Sequence, residues 1–405
     1  MAKQTLEFTR TIQAAPEMVF RALTNGTALR EWLCDTALFD ARPGGNYYAA
    51  WNSGYYATGQ VLKLTAPSKL TLTWLGRGYP EATEVKIAVA KKKAGAVVTV
   101  TQAGVGTGKK WGSAYAEVKD GWEKSLENLQ SVLETGEDLR FTLRPMLGVS
   151  GLEDVDAATA ARLKLPAARG LRLDGTVEGM GARAAGLQKD DVLVGLGRQK
   201  VQNYATLLTA LQAYRGGDTV EVVYYRDGVK QSAPMTLSRR ALPAIPGTAA
   251  ELAEAMRAVF AGGDATLERV LAGVTEAEAD YRTRPGEWNV KETLAHLIAN
   301  ERDSHIYMVD LIASDERVGG FQANSDLRLK AIAQAYGTAA ALVEELKRNE
   351  AETVAVLAGL PEAFIAEKRT YWRLAYSLLA ANTHVDEHAE QITNAVAAAR
   401  AAGKG

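Results

Sequence analysis

The pattern of hydrophobic and polar positions changes twice along the chain. Up to about residue 135, short runs alternate apolar with polar residues between turns rich in Gly, Pro or Lys, which predicts an antiparallel sheet. Residues 141–240 mix short strand-like and helical segments. Beyond residue 247, apolar residues recur every three or four positions, as in long amphipathic helices. Because polar or breaker-rich linkers lie at 135–140 and 241–247, we predict three domains, at residues 1–137, 141–240 and 247–405.

The first region predicts a sheet that is closed by one long helix. Pro16 opens a short helix at its first turn, and a helix over residues 111–134 carries an apolar stripe that begins at Ala116. Strands are predicted at residues 6–13, 46–51, 55–65, 69–75, 83–91 and 96–102. Six motifs stand out: Ala15-Pro16 with Val19, Glu31-Trp32, Arg42-Pro43-Gly44-Gly45, Gly59 with Val61, Thr73-Trp74 and Gly121-Trp122. Together they resemble the START-like SRPBCC superfamily, in its AHSA-type branch of activator-of-HSP-ATPase homologues.

This resemblance implies a helix-grip fold, in which the sheet wraps the long helix around an apolar cavity. It also implies a small apolar molecule or a chaperone as the partner. The candidate cavity residues are Trp32, Tyr47, Trp51, Leu72, Trp74 and Trp122. Side chains of this kind also fill cores, so the pattern leaves open whether they line a pocket or only pack. The region has no histidine and no acidic or lysine cluster that predicts catalysis.

The middle region contains turn and hairpin signals. A short helix ends at Gly186, a second covers residues 203–214, and Asp227-Gly228 predicts a hairpin. Residues 184–193, Ala-Ala-Gly-Leu-Gln-Lys-Asp-Asp-Val-Leu, resemble the HtrA-like PDZ domains, which have a β-barrel-like fold. The resemblance implies that a loop of Met146, Leu147, Gly148 and Val149 binds the C-terminal carboxylate of a protein through backbone N–H groups. The loop lacks a second glycine, and the alternative is that the domain is a spacer or packs against its neighbours.

The last region predicts an all-α four-helix bundle. Thr248 and Asn289 are suitable N-caps for the first two helices, and Glu292 completes a capping-box spacing with Asn289. The second, third and fourth helices are predicted at about residues 289–313, 327–360 and 372–401, and the third is expected to contain a break whose position the pattern leaves open.

All four histidines of the chain lie in this helical region. His384 and His388 are four residues apart, so their imidazoles share one helix face. Neutral imidazoles are good ligands for zinc, nickel and similar metals, although such pairs also occur on protein surfaces. His305 lies nine residues beyond His296 and is rotated away from it, so we interpret His305 as a surface or core residue.

Two segments carry a resemblance to the DinB family, also described as damage-inducible or YfiT-like metal-dependent hydrolases. They are residues 285–297, which contain Trp288 and end in Leu-Ala-His-Leu, and the later His384-x-x-x-His388-x-x-Gln391-Ile392. The resemblance implies a divalent metal, zinc or nickel, on His296, His384 and His388, with open positions as in catalytic sites. It also allows a DinB-type dimer. Glu292 and Glu387 are candidates for a base or an outer group, and the alternative places both on solvated faces.

Composition narrows the class of partner. The net charge of −1 leaves no basic excess to neutralise phosphates, so we expect no nucleic acid partner. No apolar run approaches the roughly 20 residues of a membrane span, and the N-terminal residues have no apolar signal core. The single cysteine, Cys34, excludes an intrachain disulfide and makes the cytoplasm the default location.

Two functions remain open on this basis. In the first, the chain is a binding protein whose domains hold an apolar ligand or chaperone, a peptide terminus and a metal. In the second, it is a metal-dependent hydrolase or thiol-dependent transferase that acts on small electrophiles in stress or detoxification. No histidine precedes His296, which excludes a Ser-His-Asp triad within the first two regions. The lack of an obvious general base favours the first function, and the open three-His site favours the second.

Overall fold

A computed structural model of the chain describes residues 3–211, 213–240, 242–319, 325–380 and 384–404. The chain divides into two compact units. Residues Glu137–Leu242 form the smaller one, and Met1–Gly136 together with Pro243–Gly405 form the larger one. Within the described ranges, no helix is both long and apolar enough to cross a membrane.

The first domain is a seven-stranded antiparallel sheet packed against one long helix. Its elements are β1 (Lys3–Ile12), α1 (Pro16–Thr24), α2 (Gly26–Trp32), β2 (Thr36–Phe39), β3 (Asn46–Ala50), β4 (Tyr56–Thr65), β5 (Lys69–Gly76), β6 (Thr83–Lys92), β7 (Gly95–Gly106), a 3₁₀ turn (Lys109–Trp111) and α3 (Ala114–Thr135). The strand order β1-β7-β6-β5-β4-β3-β2 is a meander in which β1 crosses over to pair with β7. The predicted helix-grip architecture is confirmed.

Two details of the first domain differ from the prediction. The buried stripe of α3 includes Val118, Trp122, Leu126 and Leu129, whereas Ala116 is exposed. Six residues separate Ala116 from Trp122, and at 100° per residue this places Ala116 well off the stripe. The strand β2 was not predicted, because its four residues are too few to show an alternation.

The middle domain, which is the smaller unit, is built around a second antiparallel sheet. Its elements are α4 (Leu139–Thr142), β8 (Val149–Asp154), α5 (Ala157–Arg162), β9 (Leu171–Thr176), α6 (Gly181–Ala184), β10 (Val192–Leu196), β11 (Gln199–Lys200), α7 (Tyr204–Leu211), β12 (Thr219–Arg226) and β13 (Val229–Thr236). The order is β13-β12-β10-β9-β8, with β11 paired to β10. Asp191, which is 1% exposed, pairs with Arg226 at 2.6 Å and accepts the N–H of Gln188. This pair fastens the turn after Gly186 to β12.

The last domain is helical in every described element. Its helices are α8 (Ala249–Leu271), α9 (Glu276–Asp280), α10 (Val290–Ile312), α11 (Asp326–Tyr336), α12 (Ala339–Ala358), α13 (Glu362–Ala366), α14 (Lys368–Ala380) and α15 (His384–Ala401). Both α8 and α10 contact α12 and α15, which closes a ring of four helices. The caps predicted at Thr248 and Asn289 are present as full capping boxes with Glu251 and Glu292.

Two of the predicted helix spans are refined by the structure. The break expected within residues 327–360 lies at Gly337, which ends α11 with a φ of 75° that a side chain would strain. The helix predicted at residues 372–401 corresponds to α14 and α15, and residues 381–383 of that prediction lie outside the described residues.

A charged junction joins the first domain to the helical domain inside the larger unit. Arg373 of α14 lies 3.3 Å from Glu31 of α2 and 2.8 Å from Glu316, which follows α10. The Glu31 and Glu316 side chains are only 5% and 8% exposed. Arg30 adds a second cation 3.2 Å from Glu316. Burial of two carboxylates is tolerable here because cations accompany them.

Hydrogen bonds to the backbone fix the same junction. The Asn25 side chain donates to the carbonyl of Ser314 at 2.8 Å, and the N–H of Glu316 donates to the Thr27 hydroxyl at 2.8 Å. Arg21 pairs with Glu367 at 2.7 Å. The segment after α10 is therefore held on α2 by main-chain as well as side-chain contacts.

Replacing Arg373 by Leu should lower the free energy of unfolding by about 3–5 kcal/mol, because two buried carboxylates lose their shared partner. Urea denaturation of the full chain measures this loss. The matched control is Arg257→Leu, which breaks the exposed pair with Glu254 and should cost about 0–1 kcal/mol. Equal losses in the two variants would contradict the junction's role.

Candidate functional site

Three imidazoles converge between α10 and α15. His296 lies on α10, and His384 and His388 lie one turn apart on α15. The Nε2 atom of His384 is 3.1 Å from Nε2 of His296 and 3.0 Å from Nε2 of His388. The three ring nitrogens all lie within 4.8 Å of one another. The geometry thus brings together the three histidines that the sequence singled out.

Neighbouring side chains orient these rings, and burial disfavours the charged form of His384. Nδ1 of His388 is 2.9 Å from Oε1 of Gln391, so Nδ1 donates and leaves the Nε2 lone pair free. The Trp288 ring packs 5.0 Å from the His296 ring, and His296 is 6% exposed. Burial, and then the neighbouring His388, lower the pKa of His384. Neutral imidazole is the form that binds metal.

The ring nitrogens have a spacing that suits a shared metal ion. Metal–nitrogen bonds of about 2.0–2.1 Å place adjacent ligand nitrogens about 3.0–3.4 Å apart, which is the range observed around His384. Lone pairs that face one another at this distance repel unless a proton or a cation lies between them. Three imidazoles leave coordination positions open, as in catalytic rather than structural sites.

The two candidate glutamates are placed very differently. Glu292 is 5% exposed, so the alternative of a solvated face is wrong for it. Its Oε2 accepts the N–H of Asn289 at 3.1 Å and its Oε1 pairs with Arg282, because it serves as the N3 residue of the α10 cap. Glu387 is exposed. His305 is half-buried, and its Nε2 lies 2.8 Å from the Thr353 hydroxyl and 3.1 Å from the carbonyl of Asn349.

A cavity of about 410 Å³ in the bundle reaches His384, and we call it the chamber. Its described lining combines apolar side chains with carboxyl groups: Met256, Val259, Phe260, Gly263, Leu297, Asn300, Glu301, Asp303, Ser304, Tyr307, Leu346, Glu350, Ser377, Leu378, His384 and Val385. Burial, and then the nearby Asp264 and Glu301 carboxyls, raise the pKa of Glu350 to about 8. Glu301 and Glu350 were not singled out from the sequence, because acidic residues on amphipathic helices are usually solvated.

A second cavity, of about 380 Å³, lies in the first domain between the sheet and α3. Trp51, Trp74 and Trp122 of the candidate set line it. The other three candidates, Trp32, Tyr47 and Leu72, line instead a void of about 30 Å³ in the core of the sheet. Half of the predicted set therefore faces space that a ligand could fill.

The sequence-based search missed several polar and small residues of this cavity. The α3 positions Glu117, Gly121 and Ser125 line it at intervals of four residues. That spacing puts them on one helix face. The sequence signal for a cavity here was a row of small or polar residues beside the apolar stripe. Trp74 Nε1 is buried and, within the described residues, donates to no group. The described wall of this cavity thus combines aromatic rings with hydroxyl and carboxyl groups.

The predicted peptide loop of the middle domain leads into an edge strand. Met146 pairs with Ser238, Leu147 is 7% exposed, and Val149 begins β8 at the edge of the sheet. Gly148 has a φ of 81°, and a Cβ there would lie 2.2 Å from Cβ of Met180. Glycine is therefore required at this position.

Two successive amide groups of this loop lack a backbone acceptor within the described residues. In the described part of the chain, no backbone carbonyl accepts the N–H of Leu147 or of Gly148, whereas their own carbonyls accept Ala182 N–H and Val177 N–H at 2.8 Å. The helix α7 contacts β8, and its N–H at Tyr204 donates to Asp154 at 2.9 Å. Successive free N–H groups beside an edge strand are what a peptide carboxylate requires.

Family models match three separate parts of the chain. Residues 13–134 match Activator of Hsp90 ATPase homolog 1-like protein, residues 170–237 match the PDZ domain, and residues 260–392 match the DinB superfamily. The chain is therefore a multidomain protein with an AHSA-type START-like domain, a PDZ domain and a DinB-like helical domain, in agreement with the predicted resemblances.

Individual relatives cover smaller parts of the chain. Serine protease Do-like HtrA of Lactococcus lactis subsp. lactis (strain IL1403) is 34% identical over 100 residues, which is 24% of this chain and 24% of that protein. The chain thus spans about a quarter of the length of the curated relatives that it matches. Among solved structures, protein MLL2253 from Mesorhizobium loti has 25% identity and a TM-score of 0.30, and it covers 33% of this chain and 99% of that one. The Aha1 dimer from Colwellia psychrerythraea has 20% identity and a TM-score of 0.30, and the match covers 33% of this chain and 98% of the Colwellia chain.

Replacing Glu350 by Gln should change how stability depends on pH. The Glu350 pKa of about 8 exceeds the ordinary 4.5, so between these values the folded state binds more protons than the unfolded state. Stability therefore falls as pH rises through this window. The variant, which cannot ionise there, should match the wild type near pH 5 and exceed it by about 1–3 kcal/mol near pH 9.

Urea denaturation of the full chain at the two pH values measures this difference. The exposed Glu352, on the same helix, supplies the control Glu352→Gln, which should change stability little at either pH. A constant difference between Glu350→Gln and wild type across the range would contradict the raised pKa.

Proposed function

We propose that this chain is a multidomain ligand- and metal-binding protein whose helical domain holds one divalent metal, zinc or nickel, on His296, His384 and His388. The observation that carries this proposal is that Nε2 of His384 lies 3.1 Å from Nε2 of His296 and 3.0 Å from Nε2 of His388. Gln391 supports it, because its hydrogen bond to His388 Nδ1 presents Nε2 for coordination.

Neighbouring residues support metal binding at this site. Burial lowers the His384 pKa, so that the ring competes poorly for protons and well for a metal. Packing of Trp288 on His296 limits rotation of that ring. A metal held by three imidazoles would supply Lewis acidity at its open positions.

Metal loading should depend on His384 and not on His305. After incubation with zinc or nickel and dialysis, elemental analysis should find about one metal per wild-type chain and strongly reduced metal in His384→Ala. The control His305→Gln removes a bundle histidine outside the site and should retain the metal. Bound metal should also raise the melting temperature of the wild type, because it binds only the folded state.

Equal metal contents in wild type and His384→Ala would overturn the metal-site proposal. A wild-type chain that holds no metal after loading would have the same effect. The His305→Gln variant separates loss of the site from loss of the fold.

The second candidate function is catalysis at the same centre, as a metal-dependent hydrolase or thiol-dependent transferase on small electrophiles. The observation that favours it is the position of His384 on the wall of the chamber, since a substrate there could reach the open side of the metal. Glu292 is engaged in the α10 cap and does not support this function as a base. A thiol-transfer assay on a panel of electrophiles, with and without metal, distinguishes an enzyme from a binding protein.

For the first domain we propose a small apolar ligand or a chaperone as partner. A solved structure with a similar sequence region is described as an HSP90 activator from Plasmodium falciparum, with 23% identity, a TM-score of 0.29 and coverages of 32% of this chain and 95% of that one. The aromatic wall and the cavity volume of about 380 Å³ support the ligand alternative, because a small apolar molecule could fill that space.

For the middle domain we propose capture of a protein C-terminus by the loop around Gly148. A peptide with an apolar last residue and a free carboxylate should bind the full chain, and the same peptide with an amidated end should bind at least about tenfold more weakly. Calorimetric titration measures both. Equal affinities for the two peptides would contradict carboxylate capture, and because the protein is unchanged, its folding cannot confuse the result.

A further inference from the structure

Of three carboxyl groups on the chamber wall, two have a hydrogen-bond or ion-pair partner among the described residues. Asp303 is paired with Arg328 at 2.8 Å, and Glu301 accepts the Thr353 hydroxyl. Glu350 is different. It is 6% exposed, it lines the chamber, and no described group donates a hydrogen bond to it or forms an ion pair with it.

The charges around Glu350 make its isolation costly. Asp264 has a buried Oδ1 atom without a partner in the described part of the bundle. Both Asp264 and Glu301 act on Glu350 as like charges. Lys347 is the cation that opposes them, but it is engaged by Glu268 at 3.1 Å. A buried carboxyl normally has a partner, so the arrangement calls for a positive group inside the chamber.

Much of the remaining chamber wall is apolar, which suits a ligand with an apolar part as well as a positive group. Met256, Phe260 and Leu297 line the same cavity, together with Leu346 and Leu378. These residues belong to or pack against the two apolar clusters of the helical domain, so the chamber lies between two halves of the core. A volume of about 410 Å³ is within the range of small-molecule sites.

We propose that the chamber is a binding site for an alkylammonium group, with the cationic head at Glu350 and Glu301 and the apolar chain against Met256, Phe260 and Leu297. The head supplies the donors and the positive charge that Glu350 lacks. The alkyl chain of the ligand covers apolar wall area that would otherwise face water. The carboxyl groups, and not the histidines, define this specificity.

This site goes beyond the proposed metal function and does not require the metal. It lies in the same cavity as His384, however, so it would place an amine-bearing molecule beside the metal centre. The two proposals are separable, because amine binding can be measured on protein from which chelation has removed any metal.

The test uses n-hexylamine and 1-hexanol, which share one chain and differ in the head. Calorimetric titration of the chelator-treated full chain near pH 7 should show hexylamine binding at least about tenfold more tightly than hexanol. Glu350→Gln should remove most of this preference while keeping a folded protein, since the amide is isosteric and uncharged. Glu301→Gln should weaken it in the same direction.

Glu352→Gln is the matched control, because Glu352 is exposed on the same helix and should leave hexylamine affinity unchanged. Equal affinities for the amine and the alcohol, an unchanged preference in Glu350→Gln, or no amine binding to the wild type at millimolar concentration would each overturn the proposal. If His384→Ala loses metal but still binds hexylamine, the amine-binding proposal is supported independently of the metal site.

Discussion

The guanidinium of Arg373 is the charge on which the larger unit depends. It lies between two buried carboxylates, one from the first domain and one from the segment that follows α10. Without Arg373, burial of Glu31 and Glu316 would be strongly unfavourable, because each carboxylate would lose a cation that now balances its charge. The junction therefore holds both α14 and the end of α10 on α2 of the first domain.

The three-histidine centre is built from the same helical framework. His296 lies near the capped start of α10, and the end of that helix leads to the junction. Glu292 bonds to Asn289 and Arg282, so the first turn of α10 is fixed one turn before His296. A metal site requires ligand atoms held to within a fraction of an ångström, and a helix fixed at both ends meets that requirement.

Sequence patterns were sufficient where the determinant was local. The caps at Thr248 and Asn289, the helix ends and the His384–His388 pair depend on residues a few positions apart. The junction could not be read in this way, because Glu31 and Arg373 are separated by 342 positions. The chamber was equally hidden, since Glu301 and Glu350 come from different helices and each resembles an ordinary solvated acid. The four-residue β2 was too short to show in the periodicity, and the break within residues 327–360 was expected but its position at Gly337 was not assigned.

Charge balance links the histidine centre with the chamber. A divalent ion bound by three neutral imidazoles would be partly buried, and these ligands would not offset its charge. Glu301 and Glu350 lie on the wall of the cavity that His384 also lines, and they carry compensating negative charge when ionised. An ion at the histidines would favour the ionised form of these carboxyls. The acidic wall, which is costly in an otherwise apolar bundle, is thus consistent with both a cation on the histidines and a cationic ligand in the chamber.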